Sequence, residues 1–139
     1  MSPTSELPLA ARIDAFFAAS PIGVVGASSD RSKYGYRCLA ALLEKGFHAI
    51  PVNPRAEEIL GVPAVASVTD LPADARAINV ITPPAISAQV LAAAIERGIT
   101  HVWFQPGAEP DDVSLARAAE AGTDVIAHGP CILVALASR

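Results

Sequence analysis

Short apolar runs rich in Val and Ile recur along this chain, each bounded by glycine, proline or asparagine, with apolar residues at helical spacing in between. The runs at 22–26, 47–52, 77–81, 101–104 and 124–127 are apolar at almost every position, as strands covered on both faces of a parallel sheet are. Between them, 36–45 carries Leu39, Leu42 and Leu43 on one helical face, and 86–97 carries Ile86, Val90, Ala94 and Ile95. A third helical pattern, 111–121, carries Val113, Leu115, Ala116 and Ala119. These helices run into Gly46, Gly98 and Gly122, where a left-handed cap turns the chain into the next strand. Pro110 is expected at a first helical position, with Asp111 and Asp112 favourably placed for the helix dipole. A further helix, capped by Thr4 or Ser5, is expected to run through Ala19 and to stop at Ser20-Pro21. Segment 56–71 breaks the alternation: Glu57 to Gly61 reads as a short helical turn with a glycine stop, and 62–68 as extended.

Strands alternating with helices predict an α/β fold, a Rossmann-like doubly wound parallel five-stranded sheet in three αβα layers. A single domain is expected, with an N-terminal helix (1–20) packed on the Rossmann-like unit (21–139). The expected strand order is 3-2-1-4-5. Ligands bind such sheets outside the carboxyl ends of the strands, which selects the loops 26–35, 53–55, 82–84 and 105–107. In the first of these an apolar strand runs into a small-residue turn and then a helix, which presents backbone N–H groups and a helix N-terminus to a phosphate. Gly23 and Gly26 are three apart, and the next glycine is Gly35, so the Gly-x-Gly-x-x-Gly dinucleotide pattern is not met. Arg31 and Lys33 place two cations in the same loop.

Composition narrows the classes. With 139 residues, 52% of them hydrophobic and 17% charged, the chain is long and apolar enough for one globular core. A net charge of −4 and no basic run exclude a broad nucleic-acid surface. The apolar stretch 7–19 contains Arg12 and Asp14 and lacks a signal-peptide pattern, and 131–137 is too short to span a bilayer, so a cytoplasmic protein with no membrane partner is expected. Two cysteines make neither a disulfide framework nor a zinc site, and His48, His101 and His128 are far apart, so no metal is expected. Trp103 and Cys38 read as core. No nucleophile, base and orienting group stand together in the pattern, so no catalytic residue is assigned.

The motifs Val25-Gly26-Ala27-Ser28, Lys33-Tyr34-Gly35-Tyr36, Pro51-Val52-Asn53-Pro54, Ile59-Leu60-Gly61 and Trp103-Phe104-Gln105-Pro106-Gly107 lie in or beside these loops. Together they resemble the stand-alone CoA-binding domain proteins, which are similar to the N-terminal domain of the succinyl-CoA synthetase α subunit. The resemblance runs over about residues 13–136. It implies a domain that binds CoA or an acyl-CoA and is non-catalytic by itself, a sensor, carrier or regulatory module. The synthetase's chemistry needs a further domain with a phosphorylated histidine. By position, the resemblance implies that Gly26, Ala27 and Ser28 meet the CoA phosphates, and Gly35, at the end of the same loop, is counted with the binding residues. It sets Arg31 and Lys33 beside the pyrophosphate or 3′-phosphate, and Asn53 and Pro54 in the nucleotide pocket. Thr82 and Pro83 would wall that pocket, and Gln105 and Gly107 would face the pantetheine arm. The chain departs from many relatives at Thr82-Pro83-Pro84 and at Ala127-His128-Gly129-Pro130-Cys131. Cys131, opening an apolar segment, is a candidate for a mixed disulfide with the CoA thiol, or else an inert cysteine.

Two other readings stand beside this one. An NAD(P)-linked small reductase or redox sensor would use the same loop. NAD sites place an acidic residue at the end of the second strand, where this chain has Asn53, while an NADP site would tolerate Asn53 and favour Arg55. The other is a partner-dependent subunit of an acyl-CoA ligase. A homodimer or a protein partner is compatible with each.

Overall fold

The computed structural model describes residues 7–139. Helix α1 (Leu9–Ala18) precedes strand β1 (Ile22–Val25), helix α2 (Tyr34–Glu44) and strand β2 (Ala49–Val52). A small hairpin, β3 (Glu58–Ile59) and β4 (Val62–Pro63), and a 3-10 turn (Val68–Asp70) lead to β5 (Ala77–Val80). Then come α3 (Pro84–Arg97), β6 (His101–Phe104), α4 (Asp112–Glu120), β7 (Asp124–Ile126) and α5 (Ile132–Ala137). The expected caps Thr4 and Ser5 lie outside the described residues; α1 ends one residue before Ala19.

Five parallel strands form one sheet in the order β2-β1-β5-β6-β7. Side chains alternate between its faces. Ile22, Val24, Ala77, Trp103 and Ile126 pack under α1, α2 and α5. Val25, Ile50, Ile78, Val80, Val102 and Phe104 pack under α3, α4 and the 3-10 turn. This is the expected three-layer αβα, Rossmann-like arrangement. Trp103 is fully buried, as expected, with its ring edge-on to Phe16 at 5.2 Å between centroids. Its indole N–H donates to the Pro130 carbonyl at 3.1 Å, so a large apolar side chain is buried with its polar atom paired. Arg12 fastens α1 to the far edge of the sheet, its Nε donating to the Asp124 carboxylate at 2.9 Å.

The order 3-2-1-4-5 is corrected to one in which the third long strand, β5, pairs with β1. The outer edge of β2 is already taken. Val65 forms a parallel bridge to Val52, its N–H donating to Pro51 O at 3.0 Å and its carbonyl accepting from Asn53 N–H at 2.9 Å. Pro51 faces that edge without an N–H to offer, as a proline in an edge strand does. The chain turns from β1 toward β2 on one side and crosses to β5 on the other, so the switch point lies between β1 and β5.

Two local expectations are corrected as well. Glu57 to Gly61 is a hairpin, not a helical turn: Ile59 pairs with Val62, and Leu60 and Gly61 both take positive φ, 55° and 78°, as a two-residue hairpin loop requires. Burial of Ile59 holds this geometry. Pro110 lies outside α4, because Asp111 takes the N-cap and its carboxylate accepts the Ser114 N–H at 3.3 Å. The proline at a first helical position is Pro84, opening α3.

Candidate functional site

At the switch point Gly26 follows β1, and its φ of +96° turns the chain out of the sheet. Its N–H still donates to Val52 O at 3.3 Å. The loop that follows folds on itself: Ser28 Oγ accepts the Asp30 N–H at 3.0 Å, and the Asp30 carboxylate accepts Ser32 N–H at 2.9 Å and Ser32 Oγ at 2.7 Å. Those Ser32 bonds hold the Asp30 carboxyl below the usual range. Helix α2 then starts with no side-chain cap and no acidic residue in its first turn, which leaves its N–H groups directed at the crevice. Gly35, in that turn, sits against the Gly26 carbonyl.

A cavity of about 920 Å³ opens here, within the usual range for small-molecule and cofactor sites. Gly26, Ala27, Ser28, Lys33 and Gly35 line it from the loop, Asn53 and Pro54 from the end of β2, and Thr82 from the end of β5. The other predicted residues lie elsewhere. Arg31 faces a separate groove of about 400 Å³ between α2 and α5. Pro83 is the N-cap of α3 and not part of the wall. Gly107, with φ +93°, turns its own loop and donates its N–H to Glu109 at 2.9 Å. Gln105 is 1% exposed and bonded to protein groups on both ends of its amide.

Asn53 lines the cavity, and both ends of its amide are bonded within the protein. Nδ2 donates to Ala27 O at 2.8 Å, and Oδ1 accepts Arg55 N–H at 2.7 Å. It ties the glycine loop to the turn that carries Arg55. Thr82 is likewise engaged, its hydroxyl 2.8 Å from that of Ser87.

Sequence reasoning left several wall residues unassigned to the site. Tyr34 enters from α2 and Arg55 from the β2 loop, while Ser67 and Thr69 come from the 3-10 turn. Ile86, Gln89, Val90 and Ala93 enter from α3. Their 0, 3, 4, 7 spacing is itself a helical stripe beside the core stripe of Ser87, Leu91 and Ala94. Among the described residues, Lys33 and Arg55 are the charged residues of the wall, and no carboxylate lines it. Both charges on the wall are therefore positive, in a chain of net charge −4.

Behind Tyr34 lies a buried polar cluster. The Tyr34 hydroxyl donates to Gln105 Oε1 at 3.3 Å, and Gln105 Nε2 donates to Asn79 Oδ1. Burial pushes the Cys38 thiol up to about 12 and also raises the Tyr34 phenol. At Cys131 burial acts upward too, but the Tyr34 hydroxyl and the Val134 and Leu133 amides outweigh it and lower the thiol. Cys131 is not among the cavity's wall residues. His101 and His128 each face one carboxylate, Asp124 at 4.0 Å and Glu109 at 3.9 Å. Among the described residues, no three His, Cys, Asp or Glu side chains gather as a metal site. None of the described helices is long and apolar enough to cross a membrane.

Known proteins resemble this chain in sequence and in fold. The chain is 36% identical over 91 residues to the alpha subunit of acetate–CoA ligase [ADP-forming] II from Pyrococcus furiosus, a match covering 65% of this chain and 20% of that subunit. It is 30% identical over 86 residues to the uncharacterized protein YneT of Bacillus subtilis, covering 62% of this chain and 64% of that one. Among solved structures, a conserved hypothetical protein from Pyrococcus furiosus superposes with a TM-score of 0.77 at 41% identity, covering 82% of this chain and 97% of that one. A hypothetical protein from Pyrococcus horikoshii OT3 superposes with a TM-score of 0.82 at 27% identity, covering 96% and 93%. The profile of the CoA binding domain matches residues 20–137, and the chain belongs to the CoA binding domain family.

Proposed function

We propose that this chain holds coenzyme A or an acyl-CoA in the switch-point cavity, as a binding module that is non-catalytic by itself. The observation that carries the reading is the wall of that cavity, which among the described residues combines two cations, Lys33 and Arg55, with no carboxylate. A ligand with a pyrophosphate and a 3′-phosphate gains from both cations and meets no like charge. The pyrophosphate takes the free N–H groups at the start of α2 and the Ser28 hydroxyl, whose proton remains available after its oxygen accepts from Asp30. Lys33 neutralises that charge from the same loop. Arg55, held in place through Asn53, takes the 3′-phosphate. Val68, Ile86 and Val90 offer an apolar flank to the adenine ring. An NAD site would want an acid where Asn53 stands, and the Asn53 amide is already committed to Ala27 and Arg55.

The similarity to a ligase alpha subunit supports a second, compatible reading, in which this CoA-holding unit works with a protein partner. The chain spans about a fifth of that relative's length. Calorimetric titration with CoA, acetyl-CoA, NADH, NADPH and ATP tests the first reading. CoA compounds alone should bind, and at about 100 times Kd they should stabilise the fold by about 2.7 kcal/mol. Binding of NADPH or NADH without CoA would replace the reading with the reductase one.

A further inference from the structure

Tyr34 belongs to two neighbourhoods. As the first residue of α2 it lines the cavity, and its hydroxyl reaches back into the sheet to Gln105 Oε1 at 3.3 Å. That oxygen also accepts the Ile132 N–H at 2.7 Å, so both of its acceptor positions are filled. Gln105 Nε2 donates to Asn79 Oδ1. One amide at the end of β6 thus joins β5, α2 and α5. Asn79 is itself fully buried and leaves its Nδ2 without a partner, a cost that a pair of apolar side chains would not carry. Among the described residues, the Tyr34 hydroxyl makes the side-chain hydrogen bond that links the first turn of α2 to the sheet. That turn has no capping side chain to keep it from fraying.

We infer that Gln105 is a positioning residue of the phosphate site: it holds the Tyr34 hydroxyl and thereby fixes the first turn of α2 without touching the ligand. The inference deepens the CoA reading and rests on it for the affinity measurement. Amide hydrogen exchange in the free protein at Arg37, whose N–H closes the first turn of α2 on Lys33 O at 3.3 Å, and CoA affinity by calorimetry, are compared in wild type, Tyr34→Phe, Gln105→Met and the double variant. Each single variant should speed exchange at Arg37 relative to Leu39 and Leu42 in the same helix. Each should also weaken CoA about tenfold, as loss of one buried hydrogen bond does. The double variant should be no weaker than the worse single one, because both remove the same link. Unchanged exchange or unchanged affinity in Tyr34→Phe would overturn the inference, as would additive losses in the double variant. Faster exchange in a protein whose wild type ignores CoA would retain the positioning role and overturn the CoA reading instead. Should Gln105→Met fail to fold, Tyr34→Phe, which removes one hydroxyl, decides the matter.

Discussion

A methyl group on Gly35 would lie 2.0 Å from the carbonyl oxygen of Gly26. The two glycines are nine positions apart, yet they let helix and strand end meet backbone to backbone, the packing that the last glycine of a dinucleotide fingerprint provides. The carbonyl is backbone and cannot turn aside. Gly35→Ala should destabilise the fold by about 1–3 kcal/mol, the usual cost of overpacking, and should weaken CoA binding with it. Urea unfolding and calorimetry read the two effects. A variant as stable as wild type would mean that the loop has room to move.

Lys33 and Arg55 face the cavity and Arg31 does not. Lys33→Ala and Arg55→Ala should each weaken CoA about tenfold, and Arg31→Ala should leave affinity near wild type. With dephospho-CoA, which lacks the 3′-phosphate, the Arg55→Ala effect should shrink while that of Lys33→Ala persists. Equal sensitivity of all three to alanine would point to bulk charge, with no specific contact.

Asn53 joins Ala27 to Arg55 through both ends of its amide. Asn53→Asp keeps the acceptor for Arg55 N–H, loses the donor to Ala27 O and puts a carboxylate into a positive cavity. CoA affinity should fall more in Asn53→Asp than in Asn53→Ala. Unfolding experiments should find each variant less stable by about 1 kcal/mol or more. The reverse order of affinities would mean that the Asn53 side chain binds ligand through a group an aspartate can replace.

Arg12 reaches the buried Asp124 from α1, and Asp124 Oδ2 has no hydrogen-bond partner. Arg12→Ala should cost about 3 kcal/mol, because it strands a carboxylate 3% exposed. Adding Asp124→Asn should restore part of that loss in urea unfolding. His101 lies beside the same carboxylate, and burial lowers its pKa more than Asp124 raises it. The unfolded chain then binds the His101 proton more readily than the folded one. Stability from this group is complete above the unfolded value, about 6.5, and falls as pH drops through it, levelling off below the folded pKa. His101→Gln should flatten that part of the stability profile.

Cys131 is partly exposed with a lowered pKa, whereas Cys38 is buried and pushed up to about 12. A thiol reagent at pH 8 should modify one cysteine quickly, and the second only on unfolding. Mass spectrometry of the first product should locate the label on Cys131. Early labelling of Cys38 would contradict the packing around α2.

The strands and helices were legible because each is written in a short window. Val and Ile runs mark strands covered on both faces, and Gly46, Gly98 and Gly122 take the positive φ that their places after helices demand. The hairpin at Leu60-Gly61 was missed because Leu60 takes a left-handed conformation that its residue type disfavours, and the burial of Ile59 that holds it there is a tertiary fact. Pro51 did carry a signal for the strand order, since a proline without an N–H belongs on an edge strand, which β2 is.

By itself, then, the sequence determined the alternation of elements, the glycine turn after β1 and the family resemblance, all properties of neighbouring residues and their periodicity. Tertiary structure decided that β5 pairs with β1, with Val65 on the competing edge of β2 that Pro51 marks. It also decided that Lys33 and Arg55 line the cavity while Arg31 turns toward α5, and that the amides of Asn53 and Gln105 are bonded inside the protein at both ends. Each of these outcomes is a competition between partners distant in the chain, and only packing brings the competitors together.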